Sequence, residues 1–197
     1  KAEGDGQIFF GLSSGASIVE GGAGNDLLFG FANGDEYRFD PASGNDIISD
    51  RGTPTGGSDT LALAGALSDY VLEQAGVRRE DLRIVHAASG NFITVAAQFS
   101  NPSRQIETLR FDDGELLTAD EIAAVFTTGT SGADDIVGTF RDDVIDGFGG
   151  GDILDGRKGA DTYVFEAGDG SATIADTGTD NILRFGAGIT SDELRLV

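Results

Sequence analysis

The 197-residue chain contains no cysteine, only three prolines, and a single histidine. Without cysteine it cannot use disulfides, so any staple must come from bound metal. Basic side chains are scarce: 13 Lys and Arg stand against 34 Asp and Glu, a net charge of -21. A nucleic acid or an anionic membrane surface is therefore a poor partner. No apolar run is long enough to span a bilayer. The opening KAEGDGQIFFG is not a signal peptide. It begins in mid-pattern, as expected of a piece of something longer. The lone histidine, His86, has no G-x-S-x-G, H-E-x-x-H or P-loop pattern to accompany it. The scattered arginines (Arg78-Arg79, Arg104, Arg110) read as local charge balance. No catalytic residue is expected.

Glycine and aspartate dominate what is there. Thirty-one glycines with apolar periodicity are not a disordered linker. From Gly129 to Val164 the chain reads as four nine-residue frames: GTSGADDIV, GTFRDDVID, GFGGGDILD and GRKGADTYV. Each opens on glycine (Gly129, Gly138, Gly147, Gly156). Each has aspartate sixth (Asp134, Asp143, Asp152, Asp161) and a large apolar residue eighth (Ile136, Ile145, Leu154, Tyr163). Six glycine-rich residues are a turn, and three alternating residues are a short strand with the eighth side chain inward. Repeated, the frame winds the chain into a parallel coil, two frames to a circuit.

Stacking then places aspartates two frames apart on one edge: Asp134 with Asp152, and Asp143 with Asp161. Two carboxylates about 5 Å apart repel by roughly 3 kcal/mol at an effective dielectric of 20. No lysine or arginine recurs at the frame spacing to separate them. A hard divalent cation held by carboxylates and turn carbonyls would do so, and calcium takes such oxygens.

The frames resemble G-G-x-G-x-D-x-U-x, the nonapeptide of the RTX (repeats-in-toxin), or haemolysin-type, calcium-binding proteins, a motif associated with a calcium-binding parallel β-helix. The best match is Gly21-Gly22-Ala23-Gly24-Asn25-Asp26-Leu27-Leu28-Phe29. The resemblance implies that one turn offers its second and fourth carbonyls and its aspartate. The turn two frames later offers its first and third carbonyls and its aspartate. One implied Ca2+ site is then Thr130, Gly132, Asp134, Gly147, Gly149 and Asp152. A second is Thr139, Arg141, Asp143, Gly156, Lys158 and Asp161, where Arg141 departs from the glycine of the motif.

Four regions follow in order. Residues 1–50 are a first, degenerate array with eighth positions at Phe10, Val19, Leu28 and Tyr37. Stepping from Asp26 gives Ser17 and Ile8 backwards and Asp35 forwards. The next aspartate, Asp46, comes eleven residues on, with the insertion absorbed near Pro41. Gly22, Gly24, Asp26 and Asp46 make one expected site, and Ser17 with Asp35 a weaker one. Residues 51–126 lack the nonapeptide and read as a β-rich insert. Strands are expected over 82–87, 92–97 and 106–111, with a turn at 89–91. A capping box at Thr118–Glu121 starts a short helix to about Phe126. The insert resembles the β-rich segment that often follows haemolysin-type repeats. Residues 127–176 are the second array, offset by 126 residues from the first, but with Ala172 where Asp46 would recur. Residues 177–197 begin a second β-rich segment, Ser191–Val197 corresponding to Arg79–Val85, and the unit is expected to be cut off at Val197.

The expected fold is all-β: two short calcium-binding parallel β-rolls separated by a small β-rich insert ending in a short helix. The resemblance implies a structural module of a secreted or cell-surface bacterial protein. Such proteins leave through type I secretion machinery and fold outside on calcium. Two other roles remain open for the parent protein. One is an adhesin with a cell-surface or glycan ligand on residues 51–126, and the other an accessory domain of an exoenzyme.

Overall fold

The computed structural model describes residues 4, 6–53 and 56–195. The chain forms two compact units, Lys1–Asp120 and Glu121–Val197. Among the described residues it is all-β apart from one short helix and two 3-10 turns. Parallel stacked coils form the body of each unit, as the nonapeptide frames lead one to expect.

The first unit opens with β1 (Ile8–Phe10), β2 (Ile18–Glu20), β3 (Leu27–Phe29), β4 (Glu36–Phe39) and β5 (Asp46–Ile48). The chain alternates between two sheets, so β1, β3 and β5 pair in parallel on one side and β2 and β4 on the other. A strand this short turns one or two side chains inward. Val19, Leu28, Tyr37 and Ile48 take that place and are at most 3% exposed, while Ile18 and Ile47 face outward.

One expectation fails at the first strand. Phe9, not Phe10, stands opposite Leu28, and Phe10 lies outside, 63% exposed. Gln7, not Ile8, takes the place below Asp26, its N–H donating to Asp26 Oδ1 at 3.1 Å. This circuit holds one residue more than two frames, and a slip of one residue swaps the faces of a strand.

The coil continues past residue 50. β6 (Thr60–Leu63) pairs in parallel with β4, seating Leu61 beside Tyr37. β7 (Tyr70–Ala75), β8 (Asp81–His86) and β9 (Phe92–Val95) form an antiparallel meander whose last strand joins β5 in parallel. β10 (Thr108–Phe111) joins β6 in parallel, and β11 (Leu116–Thr118) returns antiparallel along β10. The two sheets therefore run β1-β3-β5-β9-β8-β7 and β11-β10-β6-β4-β2. The expected strands appear as β8, β9 and β10, each within a few residues of its anticipated bounds. β7 and β11 were not anticipated, because their outward residues include Val71 and Leu116, which blur the alternation. Helix α1 (Ala119–Phe126) starts directly after Thr118.

The second unit holds β12 (Asp135–Val137), β13 (Val144–Asp146), β14 (Gly150–Asp155), β15 (Thr162–Phe165), β16 (Gly170–Ile174) and β17 (Ile182–Phe185). They form two all-parallel sheets, β12-β14-β16 and β13-β15-β17. Ile136, Ile145, Leu154 and Tyr163 stack into its core. β16 and β17 are exposed along their length. The correspondence of 191–197 with 79–85 ends on residues outside those described. Among the described residues no helix is long and apolar enough to cross a membrane.

A core one side chain wide has little room to relax. Ile145→Ala, at a fully buried site, is expected to lower the unfolding free energy by about 2–5 kcal/mol in urea titrations with calcium present. Val144→Ala, 59% exposed, should change it by less than about 0.5 kcal/mol.

Candidate metal centre

The turns stack as the strands do. Turn 129–134 lies against 147–152, and turn 138–143 against 156–161. Turn 21–26 lies against 41–46, where the Gly24 N–H donates to the Ser43 carbonyl at 2.6 Å. Glycine is needed at two frame positions for different reasons. At the first, Gly138 leaves room for the carboxylate of its own frame, since a Cβ would sit 2.7 Å from Asp143 Oδ2. At the fourth, Gly150 and Gly159 have φ of +130° and +117°, and a Cβ there would run into the carbonyl of Gly132 or Arg141 one circuit away.

The aspartate of a later turn uses one oxygen to clasp the circuit before it. The Asp134 N–H donates to Asp152 Oδ1 (3.0 Å), and the Asp143 N–H to Asp161 Oδ1 (2.8 Å). In the first unit the Asp26 N–H donates to Asp46 Oδ1 (2.9 Å), the Ser17 N–H to Asp35 Oδ1 (2.7 Å), and the Asp35 N–H to Asp59 Oδ1 (2.7 Å). The three aspartate pairings expected from the frames, and that of Ser17 with Asp35, are thus brought together edge to edge. Ala172 lies opposite Asp152 and offers no carboxylate.

The second oxygen distinguishes the frames. Asp134 Oδ2 accepts the Thr130 N–H (2.6 Å) and hydroxyl (3.0 Å), and Asp143 Oδ2 accepts the Thr139 N–H (2.6 Å). Asp35 Oδ2 accepts the Phe31 N–H (2.9 Å). In the frame of Asp161 the corresponding N–H, that of Arg157, turns instead to Asp155 (2.9 Å). Asp161 Oδ2 is left buried with no hydrogen-bond partner, and so is Asp26 Oδ2. A buried carboxylate oxygen without a donor is costly, and a cation is the usual remedy.

A further cluster lies outside the nonapeptides. Asp35, Asp50 and Asp59, all at most 4% exposed, bring carboxylate oxygens within 4.8 Å of one another. The Tyr37 hydroxyl donates to Asp50 Oδ1 (2.7 Å) and the Gly52 N–H to Asp50 Oδ2 (2.6 Å). At such spacing each ionised pair repels by about 3 kcal/mol at an effective dielectric of 20. Asp50 and Asp59 escaped the frame-by-frame reading because the circuit from Asp35 to Asp59 is 24 residues long. A signal was present: Asp50-Arg51-Gly52 and Asp176-Thr177-Gly178 lie 126 residues apart, each 13 after a buried tyrosine.

Burial shapes the protonation of these groups. It pushes the Asp59 carboxyl up to about 7, reinforced by the charges of Asp50, Glu107 and Asp35 against the Asp35 N–H. It pushes Asp161 up to about 7 as well, with Asp143 and Asp176 adding to it. Burial also raises Asp46, Asp50 and Asp143. Asp176 goes the other way: burial raises it, but hydrogen bonds from Tyr163, the Gly178 N–H and Asn181 outweigh that and hold it low. His86 is tied into its turn, Nδ1 lying 3.0 Å from the Ser89 hydroxyl and accepting the Ser89 N–H at 3.2 Å.

Residues 81–121 match the haemolysin-type calcium binding protein related domain. The resemblance to that family is thereby borne out, on the insert rather than on the frames. No curated protein matches the chain. Among solved structures it is similar to the extracellular lipase LipA from Serratia marcescens, at 20% identity and a TM-score of 0.39. That alignment covers 90% of this chain and 32% of the lipase chain.

The raised carboxyls set a pH dependence. Between their ordinary value of 3.8 and about 7, the folded chain holds protons on Asp59 and Asp161 that the unfolded chain has released. Stability without metal therefore falls as pH rises through that window. In a chelator, the far-UV circular dichroism of the folded chain should be stronger at about pH 5 than at about pH 7.5. Asp59→Asn should flatten the difference, and a signal that grows with pH over this interval would contradict the assignment.

Proposed function

We propose that the stacked turns bind calcium and that the chain is a structural module whose folding depends on it. The observation that carries this reading is the pair of buried, partnerless oxygens, Asp26 Oδ2 and Asp161 Oδ2, set in tiers of carboxylates. The donor set fits a hard cation: carboxylates and backbone carbonyls, with no sulfur and no imidazole. In the first unit Gly22, Gly24, Asp26 and Asp46 would hold one ion, and Asp35 would contribute to another. In the second, Thr130, Gly132 and Asp134 would act with Gly147, Gly149 and Asp152. Thr139, Arg141 and Asp143 would act with Gly156, Lys158 and Asp161. Bound calcium supplies positive charge between carboxylates that otherwise repel.

Each coil has too slender a core to fold well alone, so metal binding becomes folding free energy. That coupling suits export unfolded through a type I system, followed by folding at the calcium level outside the cell. Extracellular calcium modules bind at about 10⁻⁴ to 10⁻³ M. The match of residues 81–121 to the haemolysin-type related domain supports the same reading. In it the chain is a scaffold of a secreted or surface protein and has no catalytic role.

Circular dichroism during a calcium titration tests it. The β signal and melting temperature should rise with calcium, and magnesium, which prefers a smaller and stricter octahedron, should substitute poorly. Asp152→Ala should weaken calcium affinity by about tenfold and lower the melting temperature in calcium. If EDTA leaves both signal and melting temperature unchanged, the reading fails.

A further inference from the structure

We propose that a cleft on the outer face of the sheet β11-β10-β6-β4-β2 binds a neutral saccharide unit. The cleft holds about 350 Å³ and is lined by Arg38, Arg110, Asp40, Asp112, Ala62 and Ala64. That volume lies at the lower end of the range of small-molecule sites. The cleft abuts Gly22 at one end, but none of these six residues is a proposed calcium ligand.

The strand register builds the site. Glu20, Arg38, Ala62 and Arg110 stand abreast on β2, β4, β6 and β10. The last three point outward because Phe39, Leu63 and Phe111, the next residues along, are buried. Two strand spacings put the two arginine backbones about 10 Å apart, with only an alanine between them. Two residues on, Asp40 and Asp112 follow on either side of Ala64. The floor is therefore small side chains, with a pair of guanidiniums across one row and a pair of carboxylates across the next.

Both arginines reach back to Glu36 and not forward to the aspartates. Arg38 Nε donates to Glu36 Oε1 at 2.6 Å, and Arg110 Nη2 donates to Oε2 at 2.9 Å. The bond from Arg38, then that from Arg110, lowers the Glu36 carboxyl, so this clamp stays charged at neutral pH. A guanidinium carries five N–H groups, and each spends one on Glu36, so donors remain for a ligand. The carboxylates are fixed as well: Asp40 Oδ1 accepts the Ala42 N–H (2.8 Å) and Asp112 Oδ2 the Gly65 N–H (3.0 Å). The other oxygen of each is left as an acceptor. Donors on one row and acceptors on the next suit vicinal hydroxyls, which donate and accept at once. With Glu20, three carboxylates line the cleft against two guanidiniums. An anionic ligand would therefore be repelled, and a neutral sugar would not.

The coil itself does not require this arrangement. In the second unit the corresponding row is Asp146, Val164 and Arg184, and Thr162 stands where Glu36 would. That unit winds the same parallel coil with no arginine pair, no clamp and no gap. Charge balance accounts for the bonds to Glu36, but not for alanine, a poor strand former, on the strand between the arginines.

No exposed aromatic ring lines the cleft, so binding should be weak, and saturation-transfer NMR suits it. The probes are the methyl glycosides of glucose, galactose and mannose, with galacturonate as the anionic counterpart, added to the chain folded in calcium. At least one neutral glycoside should receive saturation, and more strongly than galacturonate. Arg110→Gln should weaken its binding by about tenfold. Ala62→Leu, which fills the gap from an outward position, should abolish the signal. Arg184→Gln, in the other unit, should leave it unchanged. Circular dichroism checks that each variant folds, and if Ala62→Leu does not, Arg110→Gln decides. The proposal is overturned if no neutral glycoside receives saturation, if galacturonate receives more, or if the folded cleft variants bind as the parent does. An equal loss in Arg184→Gln would overturn it too. None of these outcomes bears on calcium uptake, which the titration above measures separately.

Discussion

Everything in this molecule depends on what the two oxygens of a turn aspartate do. In a later turn one oxygen accepts the N–H of the residue one circuit before, and this charge-assisted bond fastens coil to coil. The bond requires the carboxylate to be close to the coil, hence buried, hence desolvated. The other oxygen must then find its own partner in a place from which water is excluded. Where the turn offers an N–H, as Phe31 does to Asp35, the demand is met from the backbone. Where the turn points its N–H elsewhere, as at Arg157, the oxygen stays unmet. Stacking strength and cation demand are thus two consequences of one side chain.

The glycines follow from the same requirement. A carboxylate folded back onto its own turn leaves no room for a Cβ at the first frame position, and circuits this tightly stacked leave none at the fourth. The spacing of glycine and aspartate reflects a single packing problem. That explains how Phe148 and Arg157 can stand at the second position with φ of +53° and +71°. There the limitation is conformational, of the order of 1 kcal/mol, and not a collision. Replacing Gly159 would bring both.

The two units have kept different parts of the pattern. The first retains the acids at Asp46 and Asp59, where the second has Ala172 and Asn181. The first also extends its sheets with β6 to β11, while β16 and β17 leave Ile182, Leu183 and Phe185 exposed. Copies with the same tyrosine, the same D-x-G turn and the same clasp bonds therefore differ in how much negative charge they concentrate. A difference of one carboxyl in a cluster of three matters because each pair interacts over less than 5 Å.

Much was legible in the residues alone. The frame length, the inward eighth residue, the stacking of Asp134 on Asp152 and of Asp143 on Asp161, and the haemolysin-type resemblance all come from local spacing, since a coil of constant step turns sequence distance directly into spatial distance. That translation stops where the step changes. The extra residue between Gln7 and Asp26 moved Phe10 to the outside, and the 24-residue circuit hid Asp59 above Asp35. Asp50 was hidden for another reason, because it reaches its cluster through a turn that only the Tyr37 hydroxyl fixes. Which carboxylate oxygen would be satisfied by the backbone and which left bare was likewise beyond the sequence. It depends on the direction of one N–H in each turn, and that direction is set only once the circuits lie against each other.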